Sequence, residues 1–177
     1  MRRILATFAT LVLLWTVVSQ TNHALSGWHV YLWLGGVVVT FPALVLPLRS
    51  GLAASFLGGL LFDSLVPVTF GTHALLFAGA HALIFHVRDR VPREETAARV
   101  IIALFANLAL FLLFSFLRIR HVPTPAVVWP RLLIDLLCSQ LLLVMIAPWF
   151  FALQTRALQI ADALASTYER RFRQGGA

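Results

Sequence analysis

The chain has 177 residues, of which 60% are hydrophobic and only 12% charged, and its mean hydropathy is +0.87. A soluble domain carries roughly 25% charged and 45 to 50% apolar residues, so this composition excludes an ordinary water-soluble protein and points to a membrane. The net charge of +7 comes from arginine alone, and outside the tail no basic stripe with interleaved aromatics offers a nucleic-acid surface. The single cysteine, Cys138, excludes an internal disulfide and any multi-cysteine metal site.

A bilayer core about 30 Å thick needs about 20 helical residues, and six apolar runs approach that length: 4–18, 28–48, 51–68, 71–87, 100–117 and 132–153. Lipid tolerates only structures that satisfy their own backbone groups, and the runs lack the strict alternation of barrel strands. The expected fold is therefore an all-α integral membrane protein, a six-transmembrane-helix bundle over residues 1–153 with a cytoplasmic amphipathic tail over 154–177.

The first run follows Arg2 and Arg3 and ends near Ser19, which also fits a secretory signal; because five further spans follow, it is read as a retained helix. Basic loops stay in the cytoplasm. With the N-terminus inside, Arg2, Arg3, Arg49, Arg88, Arg90, Arg93, Arg99, Arg156, Arg170, Arg171 and Arg173 lie inside, and Arg118, Arg120 and Arg131 outside. Both termini are thus expected in the cytoplasm. Trp28 and Trp129 then anchor the outer interface and Trp149 the inner one.

The third run carries Gly51, Ser55, Gly59 and Asp63 at a spacing of four, a track of small side chains on one helix face that ends in a carboxylate. The fourth answers with Ala74, Ala78 and Ala82. A connection over 66–70 containing Pro67 makes the two antiparallel neighbours. A carboxylate within a span is costly unless partnered. The free N–H groups from Gly71 to His73 at the start of the fourth helix offer partners, as does the His73 ring, so Asp63 is expected to lock this hairpin, with Gly71 allowing close approach.

Glu94, Glu95 and Arg99 spell E-E-x-x-x-R, the first motif of intramembrane CAAX-type proteases, but the F-x-x-x-H element, Phe77 to His81, precedes it, and the loop over 88–99 is the most charged in the chain. His73 and His81 lie about 80° apart around a helix, and His81 and His86 are five apart, so neither pair makes a metal site. No nucleophile elbow or phosphate-cradling loop is present. The expectation is a non-enzyme with no catalytic residue, no metal and no cofactor.

On the sixth run, Arg131, Asp135 and Ser139 share a face, and the spacing of Arg131 and Asp135 allows an ion pair at the outer rim. Asn107 and Gln140 lie at similar depth on the fifth and sixth runs and are expected to bond across the interface. In the tail, Ala157, Ile160, Ala161, Leu164, Tyr168 and Phe172 follow helical spacing, and the terminal arginines suit anionic lipid or a cytoplasmic partner.

The stretch over 51–75, G-L-A-A-S-F-L-G-G-L-L-F-D-S-L-V-P-V-T-F-G-T-H-A-L, resembles the rod shape-determining MreD family: a glycine-rich span, an aspartate near its outer end, a short turn, then glycine at the next helix start. Length, basic N-terminus, span count and the sequence Pro148, Trp149, Phe150 agree. The family's second span often opens on a proline and a polar residue, where this chain has Trp28 and His29. The resemblance implies a bundle similar to the substrate-binding components of energy-coupling-factor transporters. It also implies a scaffold role in the bacterial cytoplasmic membrane, in the elongation complex that couples cytoskeleton to peptidoglycan synthesis. The implied partners are an MreC-like single-span protein, an MreB-type actin homologue, a RodA-type glycosyltransferase with its transpeptidase, and the lipid bilayer. Gly59, Asp63 and Gly71 match family positions. The alternative is a vitamin-transporter substrate-binding component, with Asp63, His73, Asp135 and Arg131 lining a pocket.

Overall fold

The computed structural model describes residues 2–64, 69–92, 95–119 and 125–175, and their side chains except at 125–127 and 167–175. The connection with Pro67, Arg93, Glu94, Arg120 and the tail side chains Tyr168, Arg170, Arg171, Phe172 and Arg173 lie outside what it describes. Among the described residues there is no strand. Six α-helices follow in order: α1 Arg2–Leu25, α2 Gly35–Val45, α3 Leu48–Asp63, α4 Thr72–Val87, α5 Thr96–Ile119 and α6 Pro125–Gly175, with 3₁₀ turns at Ser26–Trp28 and Arg88–Arg90. Three helical segments, Arg2–Trp28, Thr96–Ile119 and Val128–Ser166, are long and apolar enough to cross a membrane.

The second apolar run departs from expectation. Its helix does not begin at Trp28: His29 is left-handed at φ 59°, residues 30–34 are irregular, and α2 occupies only 11 residues, about 16 Å or half a bilayer core. This helix is nevertheless the centre of the molecule. Every residue from Gly35 to Leu44 is buried, against α3, α4, α5 and α6. A helix that is apolar all round belongs in a core, and that burial overrides the modest helix propensity of Val37, Val38, Val39 and Thr40. Gly36 sets its distance from α5, since a Cβ there would fall within 3 Å of the Ala103 carbonyl and the Asn107 backbone. The C-terminal end is closed by Arg88, whose guanidinium donates to the Leu46 carbonyl at 3.1 Å while lying over the Phe85 ring.

Around this axis, α1 packs on α3 and α6, contributing Leu11, Leu14 and Val18 to the core. An aromatic group fills the space between α2, α3, α4 and α5, with Trp33 edge-on to Phe62, Phe77 and Phe111. Each such pair contributes about 0.5–1.5 kcal/mol beyond area burial. Helix α6 runs unbroken through residues 153 and 154, where the sequence changes character, and at 51 residues is about 76 Å long. Beyond Leu153 it still buries Gln154 and Leu158, and Asp162 accepts two bonds from the Arg3 guanidinium at 2.9 Å each, tying the start of α1 to it.

The α3–α4 interface also needs one correction. Ala82 is exposed and Ala78 only partly buried; the inward stripe of α4 is His73, Ala74, Phe77 and His81. Large side chains replace the expected alanines because only α3 is stripped of side-chain bulk.

Candidate functional site

The described polar side chains buried in the bundle concentrate in two constellations, one on the α3–α4 hairpin and one around residues 30–34. The hairpin is built on the small track of α3. At Gly59 a Cβ would meet the backbone of Ala74 and His73 within 3 Å, and at Gly51 it would meet the His81 ring and the Pro42 carbonyl. The backbones therefore approach as closely as glycine allows. Antiparallel pairing brings Ser55 opposite His81, with Oγ to Nδ1 at 3.0 Å, and Asp63 opposite His73. Eight residues separate the two rungs on each helix, about 12 Å of rise.

Asp63 is 4% exposed and serves as the N-terminal cap of α4 although it belongs to α3. Its Oδ2 accepts from Gly71 N–H at 3.0 Å and Ala74 N–H at 3.2 Å; its Oδ1 accepts from His73 N–H at 2.9 Å and lies 2.8 Å from His73 Nδ1. The remaining N–H of that first turn, on Thr72, donates to the Thr69 carbonyl at 3.1 Å. A helix start leaves its first N–H groups without internal partners, and in a water-poor bundle these must be answered from elsewhere. One buried carboxylate answers three of them while sitting at the positive end of the helix dipole. Gly71 makes the approach possible: its φ of 98° is a conformation that a side chain would strain.

The second constellation holds the irregular segment. Asn22 on α1 pairs with Leu32 in both directions, Nδ2 to the carbonyl at 2.9 Å and Oδ1 from the N–H at 2.7 Å. On α6, Asp135 Oδ1 accepts from Tyr31 N–H at 2.9 Å and Ser139 Oγ from Trp33 N–H at 2.9 Å. On α5, Asn107 Oδ1 accepts from Gly36 N–H at 3.0 Å. Three helices thus supply, from side chains, the bonds that a continuous helix would have made for itself. Irregular backbone at this depth is tolerated only where protein satisfies it.

Two expected pairings do not form. Arg131 and Asp135 make no ion pair: Asp135, 5% exposed, is turned inward onto Tyr31, and Arg131 stays exposed. Asn107 does not bond Gln140, because each amide finds a main-chain group first, Asn107 on Gly36 and Gln140 Nε2 on the Leu104 carbonyl at 3.1 Å. Of the sequence candidates, Gly51, Ser55, Gly59, Asp63, Gly71 and His73 come together on the hairpin. Asp135 belongs to the second constellation, and Arg131 to neither. Asn22 was invisible to the sequence reading, for its partner is backbone.

No group of three His, Cys, Asp or Glu side chains suited to a metal occurs among the described residues. Ser55 and His81 lie within hydrogen-bond reach, as a nucleophile and base would. Both are fully buried, however, and Gly51 is packed against the same ring, so no substrate atom can reach the hydroxyl. A cavity of about 20 Å³, room for a water molecule, lies between α1 and the irregular segment, lined by Trp15, Ser19, Asn22, Tyr31 and Phe62 among others. Compared with known proteins, the chain matches no family model, no curated protein and no solved structure.

Proposed function

We propose that this protein is a non-enzymatic membrane scaffold of the MreD type, a six-span component of the bacterial cell-elongation complex with both termini in the cytoplasm. The observation that carries this reading is the use made of Asp63. Among the described residues its four close contacts all go to the turn and first turn of α4, so the acid is spent on shape. The closed packing around Ser55 and His81 supports the same conclusion.

Six crossings are reached if α3 and α4, at 16 residues or about 24 Å each, form a recessed hairpin and the irregular segment completes the path of α2. With six crossings the sequence puts eleven arginines on one side and three on the other, a bias that supports a cytoplasmic N-terminus. A rigid hairpin presented toward the cell exterior is what an MreC-like single-span protein would recognise.

Co-purification tests this reading. The tagged full chain, expressed with an MreC-like protein and a RodA-type synthase, should recover them, and Asp63→Leu should lose the recovery while Asp63→Asn keeps part of it. A retained small molecule with no recovered partner would overturn the proposal in favour of transport. Orientation is read separately by thiol labelling: with Cys138 replaced by Ser, a cysteine at Ser26 should label from outside intact cells and one at Asp89 should not.

A further inference from the structure

Arg118 closes α5 and Arg131 lies near the opening of α6, both exposed and neither in an ion pair among the described residues. The acid nearest Arg131 in the helix, Asp135, is occupied by Tyr31 N–H. Arg118 lies one helical turn beyond Phe114, whose ring centroid is 4.2 Å from that of His73, and Arg131 lies one turn before Asp135, which accepts from Tyr31 N–H. Phe62 packs beside His73 and lines the same cavity as Tyr31, so Arg118 and Arg131 stand at the same end of the bundle, with Tyr31 half-exposed there. The two carboxylates described at this end, Asp63 and Asp135, are buried and committed to main-chain donors, whereas both guanidinium groups face outward. Trp129, partly exposed two residues before Arg131, sets the depth of this rim at the headgroup level of a bilayer, where indole rings settle.

Guanidinium groups at that depth have one abundant complementary group. The planar fork of arginine matches phosphate oxygens two at a time, and its weak hydration makes the exchange from water easier than for lysine. Arginines on the translocated side also run against the bias that retains basic residues inside, so their presence at this end calls for a compensating interaction. We propose that Arg118 and Arg131 form a phosphate-binding rim at the α5–α6 end of the bundle, taking a phosphodiester or pyrophosphate group. The assignment to the outer leaflet rests on the orientation proposed above; the binding chemistry does not.

The test uses the delipidated full chain in neutral detergent, with native mass spectrometry following titration by phosphatidylglycerol, by diacylglycerol as the same lipid without phosphate, and by inorganic pyrophosphate. Wild type should retain phosphatidylglycerol over diacylglycerol, and R118Q/R131Q should lose about tenfold in that affinity. The control R49Q/R156Q, altered at exposed arginines of the opposite end, should keep it. R118K/R131K should fall several-fold, because lysine supplies the charge without the fork. Competition by pyrophosphate supports a soluble phosphate compound as the natural ligand, and its absence supports a lipid headgroup. Equal phosphatidylglycerol affinity in R118Q/R131Q and wild type would overturn the site, and full retention by R118K/R131K would overturn recognition by the fork. Thiol labelling that showed the reverse orientation would move the rim to the inner leaflet without changing these titrations.

Discussion

Replacing Asp63 offers the sharpest measure of how the α3–α4 hairpin is held. In Asp63→Leu the carboxylate leaves behind the N–H groups of Gly71, His73 and Ala74 and the His73 ring nitrogen, which approach it at 3.0, 2.9, 3.2 and 2.8 Å. A buried donor stranded in this way costs about 1–3 kcal/mol, and with some relaxation at the open end of the hairpin the loss comes to about 4–6 kcal/mol. Asp63→Asn keeps one carbonyl oxygen and two of the contacts, but points its NH₂ at the other two donors. That variant should lose about 2–3 kcal/mol, by the same reckoning. Unfolding of the purified protein by a denaturing detergent at fixed micelle composition gives the order directly, and the loss should appear in the variant's midpoint. Equal stability of the Asn and Leu variants, or a loss below about 1 kcal/mol in both, would refute the capping account.

Other substitutions separate the remaining parts. Gly59→Ala places a methyl group against the α4 backbone, which has no side chain to move aside, and should lower stability by about 1–3 kcal/mol. Gly79→Ala, where nothing lies within 4 Å of the new atom, should leave the same unfolding midpoint unchanged or raise it by about 0.5–1 kcal/mol. Asn107→Leu strands Gly36 N–H at the start of α2 and should cost about 1–3 kcal/mol, with amide exchange faster at residues 35–38 than elsewhere in that helix. Arg3→Gln removes an exposed clasp to Asp162 and should leave the midpoint within error of wild type, although the spin-labelled end of α1 becomes more mobile.

How far the sequence carries depends on the question asked of it. Apolar run length located α4 to within a residue and α5 to within four, since their ends coincide with Gly71 or charge, whereas α3 begins at Leu48, three residues before its run, and 65–68, the end of that run, lie outside the described residues. The track of Gly51, Ser55 and Gly59 was legible because close approach demands small residues at helical spacing. Residues 30–34 were not legible as a break, because hydropathy measures what leaves water and says nothing of where peptide groups find partners. A signal is there in retrospect: β-branched and aromatic residues, Val30, Tyr31 and Trp33, lead into Gly35 and Gly36, with Asn107, Asp135 and Ser139 buried and Asn22 half-buried around them on other helices. Depth alone also misassigned Asn107 and Gln140, since two amides at one level can face different neighbours. The inward turn of His81 escaped for a related reason: a ring that meets a glycine and a serine looks polar in the sequence and is packing in the fold.

The order in which the chain is made gives the irregular segment a further consequence. Tyr31 and Trp33 find their partners 104 and 106 residues later, on α6, after the four intervening helices have been made. Until Asp135 and Ser139 are in place those two N–H groups lack their side-chain acceptors, so the finished form of the segment depends on α6.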